Sequence, residues 1–190
     1  PASNNKCPSS RNQVKGFIKA SIKEIARPFH ISPSEPPEEP ESIKLTTKFD
    51  NILEIGTWSG ARAVKMASGL FDAGVKKVHY TGFDLFEEAT EEDDQTEKNV
   101  KKHYSEAEVK EYMYSFAQTA AKNGKEFTYC IIKGNTRETL KVLKNKDYCN
   151  THNIKPQFAY IDGGHSVETI RSDYNFVKHL PVVLFDDFYT

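Results

Sequence analysis

From residue 49 onward, short apolar runs alternate with longer stretches in which apolar residues return every three or four positions. Short runs of this kind read as strands, and the periodic stretches read as amphipathic helices. The strands predicted are NILEIG (51–56), KKVHYTGFDLF (76–86), EFTYCIIKG (126–134), QFAYIDGG (157–164) and PVVLFDD (181–187). Between them the pattern predicts helices over ARAVKMASGLFDAG (61–74), TRETLKVLKN (136–145) and SVETIRSDYNFVKHL (166–180), with an acidic and then helical segment over 87–124. Strands in strict alternation with helices imply an α/β fold of Rossmann-like type, a doubly wound and mainly parallel sheet with helices on both faces.

The first part of the chain has a different texture. Val14, Phe17, Ile18, Ile22 and Ile25 fall at helical spacing, with Lys15, Lys19, Lys23 and Arg27 on other faces. Such a helix can lie on a membrane, but the apolar stripe is short, and packing against the domain is the expected role. ISPSEPPEEPES (31–42) follows as an extended proline-rich connector kept in water by its glutamates. The expected organisation is therefore an arm over 1–42 and one domain over 43–190, in keeping with a chain of 190 residues.

Charge narrows the partners. Lys plus Arg (26) nearly cancels Asp plus Glu (27), which leaves no basic footprint for nucleic acid and no polybasic anchor for anionic lipid. A small molecule is the expected partner. The three cysteines, Cys7, Cys130 and Cys149, are odd in number and lack CxxC spacing, arguing for a reducing, cytoplasmic setting rather than a disulfide framework or a zinc site. No apolar run reaches spanning length, the first ten residues do not read as a signal peptide, and the missing initial Met suggests a trimmed chain.

Candidate chemistry gathers at the predicted strand ends, where open α/β sheets bind ligands. The first strand runs into Glu54-x-Gly56-x-x-x-Gly60, whose glycines let backbone approach a ligand and whose Ser59 can cap the following helix. Trp58 stands where a dinucleotide loop needs its second glycine, so a nicotinamide cofactor is not expected. Asp84 ends the second strand and suits the two hydroxyls of a ribose. Asn135 and Thr136 follow the third strand, where an Asn amide could meet an adenine edge or simply start a helix. Asp162 and His165 follow the fourth, and Asp186 and Asp187 end the fifth. The acidic run from Glu87 to Asp94 reads as a solvated loop or helix start without a catalytic role.

EIGTWSG, GFDLF, KGNTRETL, YIDGGHSVETIRSDY and VVLFDD, in that order over roughly residues 45–190, resemble class I S-adenosylmethionine-dependent methyltransferases. More narrowly they are similar to the macrocin-type and related sugar O-methyltransferases. The resemblance implies that Glu54, Gly56 and Gly60, with Thr57, Trp58 and Ser59 between them, surround the methionine part of the cofactor. It places Asp84 at the ribose, Asn135 and Thr136 at the adenine side, and Asp162 in contact with both cofactor and chemistry. It further implies Mg²⁺ on Asp162, Asp186 and Asp187, with His165 beside the acceptor hydroxyl as general base. Three converging carboxylates would raise one another's pKa without a cation, and Mg²⁺ favours oxygen ligands while acidifying a bound hydroxyl.

The expected activity is thus Mg²⁺-assisted O-methylation of a sugar or other small-molecule hydroxyl. The rivals are a metal-independent N-methyl or aminopropyl-type transferase and a non-catalytic cofactor-binding module. Two features depart from the family pattern. Its sheet has seven strands ending in an antiparallel hairpin, whereas this sequence stops after the fifth, so either further residues or a second copy in a homo-oligomer is expected to cover PVVLF. His179-Leu180-Pro181 also replaces the usual Pro-Gly-Gly turn before that strand.

Overall fold

A computed structural model of the protein describes residues 49–99 and 102–186. The amphipathic segment around Val14–Ile25, the proline-rich connector 31–42 and Asp187 lie outside the described residues. Five strands, β1 (Asn51–Ile55), β2 (Lys77–Asp84), β3 (Glu126–Lys133), β4 (Phe158–Ile161) and β5 (Val182–Phe185), form one sheet in the order β3-β2-β1-β4-β5. Every neighbouring pair is parallel, and this is the Rossmann-like arrangement that the alternation predicts. The chain leaves β1 toward β2 and β3 on one side and returns to β4 and β5 on the other. That reversal opens a crevice at the carboxyl ends of β1 and β4.

Six helices connect the strands: α1 (Ala61–Asp72), α2 (Glu91–Glu97), α3 (Glu106–Lys122), α4 (Thr136–Thr139), α5 (Lys146–Thr151) and α6 (Val167–Val177). They cover both faces of the sheet because β1 is buried along its whole length and alternates its side chains between two cores. Ile52 points with Val78, Tyr80 and Phe127 toward Ala63 and Ala67 of α1 and Val109 and Met113 of α3. Leu53 and Ile55 point with Phe83, Ala159 and Ile161 toward Leu140 and Val177. The two small alanines let α1 lie close on the sheet, which brings its first turn over the ends of β1 and β4.

Two predicted helices differ from the structure, each through a cap. The acidic stretch forms the separate helix α2, started by a reciprocal pair in which Thr90 accepts from the Asp93 backbone N–H and Asp93 accepts from that of Thr90. Ser105 and Glu108 repeat the arrangement at the start of α3. The stretch 136–145 breaks into the single turn α4, a 3-10 segment over Leu140–Lys144 and the short α5. Asn145 causes the break, since its side chain accepts from the backbone N–H groups of Asp147 and Tyr148 and so begins a new helix. Among the described residues no helix is long and apolar enough to cross a membrane.

Candidate active site

The strand ends enclose a cleft of about 280 Å³. Gly56 sits at its floor with φ +90°, and a Cβ there would lie 2.0 Å from the Asp162 carbonyl oxygen. Glycine is needed because the loops after β1 and β4 touch backbone to backbone, a contact continued by the Asp162 N–H on the Ile55 carbonyl at 2.8 Å. The close approach expected of this glycine is therefore made first to the chain itself. Gly60, with φ +74°, occupies the N-cap of α1. Ser59, the expected cap, reaches only to 3.4 Å from the Ala61 nitrogen, because the cap position has moved one residue on.

Asp84 ends β2 with both carboxylate oxygens engaged by backbone. The Trp58 N–H donates to one and the Phe86 N–H to the other, each at 2.7 Å. Burial pushes its pKa up, and these N–H groups pull it back toward the charged form. Trp58 forms the rim of the cleft. Its indole donates to the Lys102 carbonyl at 2.7 Å, and its ring meets Tyr104 edge-on with centroids 5.4 Å apart. Asn135 and Thr136 line the opposite wall. The Asn135 side-chain Oδ1 caps α4 by accepting from the Arg137 N–H at 3.0 Å, so its side-chain NH₂ is the group available to address a base edge.

Beneath the cleft Glu54 is fully buried, accepting from the Tyr80 hydroxyl at 2.5 Å, and the Thr57 hydroxyl lies 3.0 Å from the same Tyr80 oxygen. Burial drives the Glu54 pKa up to about 8, against the pull of Tyr80 and Arg62. Glu54, Thr57, Ser59 and Gly60 stand below or beside the cleft rather than on its wall, whereas Gly56, Trp58 and Asp162 reach it. The strands leave Glu54 no other direction, because its side chain shares the face of Ile52 and Tyr80.

Asp162 and Asp186 are brought together by the β4–β5 ladder, which continues one step as the Asp186 N–H donates to the Ile161 carbonyl at 2.9 Å. Both carboxylates meet Arg62. One guanidinium nitrogen donates to Asp162, the other to Asp186 at 2.8 Å. Glu54 lies 4.0 Å from the same guanidinium, and the Tyr160 ring stacks beneath it with its centroid 4.5 Å from Cζ. Among the described residues there is no group of three or more His, Cys, Asp or Glu side chains arranged to hold a metal ion.

His165 stands on the cleft wall after β4, and its Nδ1 lies 2.9 Å from the Glu97 carbonyl oxygen. A carbonyl only accepts, so Nδ1 carries the proton and the lone pair of the neutral ring is on Nε2. That carbonyl belongs to the last residue of α2, where helix geometry leaves acceptors without intrahelical donors. The Glu97 carboxylate accepts from the Ser166 N–H at 2.7 Å, the Ser166 hydroxyl at 3.0 Å and the Thr169 hydroxyl at 2.6 Å. Burial alone would raise the Glu97 pKa, but these donors outweigh it and hold the group below its usual value. Gly164 makes room for the clasp, since a Cβ there would lie 2.5 Å from a Glu97 oxygen.

Arg62 and Glu97 are the two site residues that the sequence reading passes over. Arg62 carried a signal, being a cation in the first turn of a predicted helix, where the dipole disfavours it unless carboxylates are near. Glu97 sits just past the acidic run read as a solvated loop or helix start; the structure shows the helix start, and the Thr90-x-x-Asp93 capping pattern is the sign that decides between the two. Asp173 on α6 is a third buried carboxylate, with both oxygens lacking a partner of hydrogen-bond geometry. Burial pushes it up to about 6, with the nearby Thr136 hydroxyl pulling the other way.

The arrangement joins a backbone-held carboxylate after β2, a polar turn after β3 and a histidine with a fixed tautomer after β4, all around one crevice. No curated protein sequence matches the chain. The family model described as "Methyltransferase domain" matches residues 53–188, a span that includes every strand end of the cleft. The chain belongs to that methyltransferase-domain family and is an S-adenosylmethionine-dependent methyltransferase.

Proposed function

We propose that the protein transfers methyl to a hydroxyl oxygen of a sugar or other small molecule, as its resemblance to the macrocin-type branch implies. The observation that carries this reading is the His165 tautomer. An alcohol must lose its proton to attack, and an imidazole with its lone pair on Nε2 at a cleft wall is the group that takes such a proton near neutral pH. An amine acceptor attacks through a lone pair it already has and needs such a base less.

S-adenosylmethionine supplies a methyl already activated on a sulfonium, so the chain's part is to bind, align and exclude water. Asp84 is suited to the ribose hydroxyls, because its carboxylate lines the cleft and its backbone donors fix its orientation. The Asn135 amide and the Thr136 wall suit the adenine side, and Trp58 and Gly56 border the methionine side. The bond from His165 Nδ1 to the Glu97 carbonyl at the end of α2 holds that ring against rotation.

The donor set for magnesium fits less well. Asp162 and Asp186 already bind the Arg62 guanidinium, and Asp187 lies outside the described residues, so no step here runs through a metal. The test is methyl transfer from isotopically labelled S-adenosylmethionine to panels of sugars, other alcohols and amines. Labelled ethers are expected. Turnover confined to amines would overturn the O-methyl reading, and cofactor binding without product from any acceptor would favour a non-catalytic module.

A further inference from the structure

Arg62 occupies an unfavourable place for a cation. It is the second residue of α1, whose first turn contains no acidic residue, and the partial positive charge of a helix N-terminus repels it there. What holds it comes from elsewhere in the sheet. The two nitrogens of its fork donate to carboxylates on two neighbouring strands, Asp162 after β4 and Asp186 after β5. Glu54 of β1 adds a third acidic side chain at 4.0 Å, and Tyr160 supplies an aromatic face at 4.5 Å. A planar guanidinium bridging two carboxylates performs the linkage that a divalent ion otherwise makes between oxygen ligands.

We propose that Arg62 is the resident cation of this site, holding Asp162 and Asp186 in place of a divalent metal and making the acceptor side of the enzyme metal-independent. A tethered cation does not dissociate, and although burial is the largest single influence and disfavours its charge, the bond and charge of Asp162 together with Tyr160 and Glu54 raise its pKa. Mg²⁺ sheds its water reluctantly, and here it would have to displace a charge already bonded to both ligands. Arg62 acts on the reaction through Asp162, from whose backbone Gly163 and Gly164 lead directly to His165, so it is a positioning residue. The proposal deepens the methyl-transfer reading without resting on the acceptor, because it is tested without turnover.

The probe is Mn²⁺ titrated into the full chain, with free ion followed by electron paramagnetic resonance and melting temperature recorded in parallel with Mg²⁺. The wild type is expected to leave Mn²⁺ free at about 1 mM. Arg62→Gln, which removes the charge and exposes the carboxylates to one another, is expected to melt lower and to gain one Mn²⁺ site at least about tenfold tighter than any in the wild type. Asp186→Asn added to Arg62→Gln should abolish that site. Arg62→Lys keeps a tethered charge and should exclude Mn²⁺ as the wild type does, which gives a second readout should Arg62→Gln fail to fold. A stoichiometric Mn²⁺ site in the wild type or in Arg62→Lys that Asp186→Asn removes would overturn the proposal. So would a folded Arg62→Gln that gains no site, since the arginine would then not be standing in a cation's place.

Discussion

Asp84 and Asp162 end strands of one parallel sheet and face one cleft, yet they are oriented by different means. Asp84 is held by two backbone N–H groups, those of Trp58 and Phe86. Asp162 is held by a side chain, the Arg62 guanidinium. A carboxylate held by backbone is fixed by the fold itself and survives most substitutions around it. A carboxylate held through a side chain is more open to substitution at its partner, so the Asp162 end of the cleft is expected to be the more sensitive of the two to a change at Arg62. Asp173 completes the series as a buried carboxylate with only the nearby Thr136 hydroxyl to offset its burial.

The largest expected effect lies on the Asp162 side. His165→Ala should slow the chemical step by on the order of 10²- to 10⁴-fold, the usual range for a positioned base, while leaving S-adenosylhomocysteine affinity nearly intact. Single-turnover methyl transfer against pH reads this, with partial recovery at high pH as hydroxide substitutes for the base. A near-wild-type rate would make His165 structural.

Next comes Asp84→Ala, expected to weaken S-adenosylhomocysteine binding by roughly 10- to 100-fold, since a hydrogen bond to a charged group contributes about 1.5–3 kcal/mol. Asp162→Ala should weaken it less. Calorimetry that found equal losses in the two variants would erase the division into cofactor and acceptor sides.

Smaller again is Gly164→Ala, whose new methyl would meet Glu97 at 2.5 Å and the Thr169 methyl at 2.9 Å. Overpacking of this kind costs about 1–3 kcal/mol, read as a lower midpoint in denaturant. The loss should shrink in a Glu97→Ala background, where the carboxylate to be displaced is gone. Strict additivity would mean that the α2 clasp does not set the space at Gly164.

The smallest effect should come from Asp173→Asn, and its sign follows from the raised pKa. With the folded group at about 6, the folded state holds a proton that the unfolded chain has already released, so stability falls as pH rises from about 4 to about 6. The variant should lose that slope and be the more stable protein above pH 6, by about 1–2 kcal/mol after allowance for relaxation of the site. Parallel pH profiles of the two proteins would show instead that Asp173 is solvated or paired.

The sheet was legible because its strands are largely buried and therefore appear as predominantly apolar runs such as NILEI and FAYI. Their order around β1 is a finding of the structure, which an alternation of strands and helices does not fix by itself. Asp84 and Asp162 were legible as candidates because each is a polar residue at the end of such a run, and His165 because it lies three residues after Asp162. What could not be read was who holds them. The partners of Asp84 are backbone groups that no residue type announces, and the partner of Asp162 lies 100 residues away on a helix. The broken helix at 136–145 was missed because Leu140, Val142 and Leu143 keep an apolar pattern through the 3-10 segment while Asn145 quietly supplies a new cap.

The distance in sequence between Arg62 and its carboxylates has a consequence for synthesis. Asp162 and Asp186 follow it by 100 and 124 residues, which at about 5–20 residues per second means an interval of roughly 5–25 s on the ribosome. Throughout that interval the nascent chain carries α1, β1 and β2, and with them the part of the cleft built around Asp84, while Arg62 has Glu54 near it but neither of the two carboxylates it bonds. The two halves mature in order. Among the described residues β5 is the strand that brings Asp186, so its pairing beside β4 and the second bond to the arginine form together.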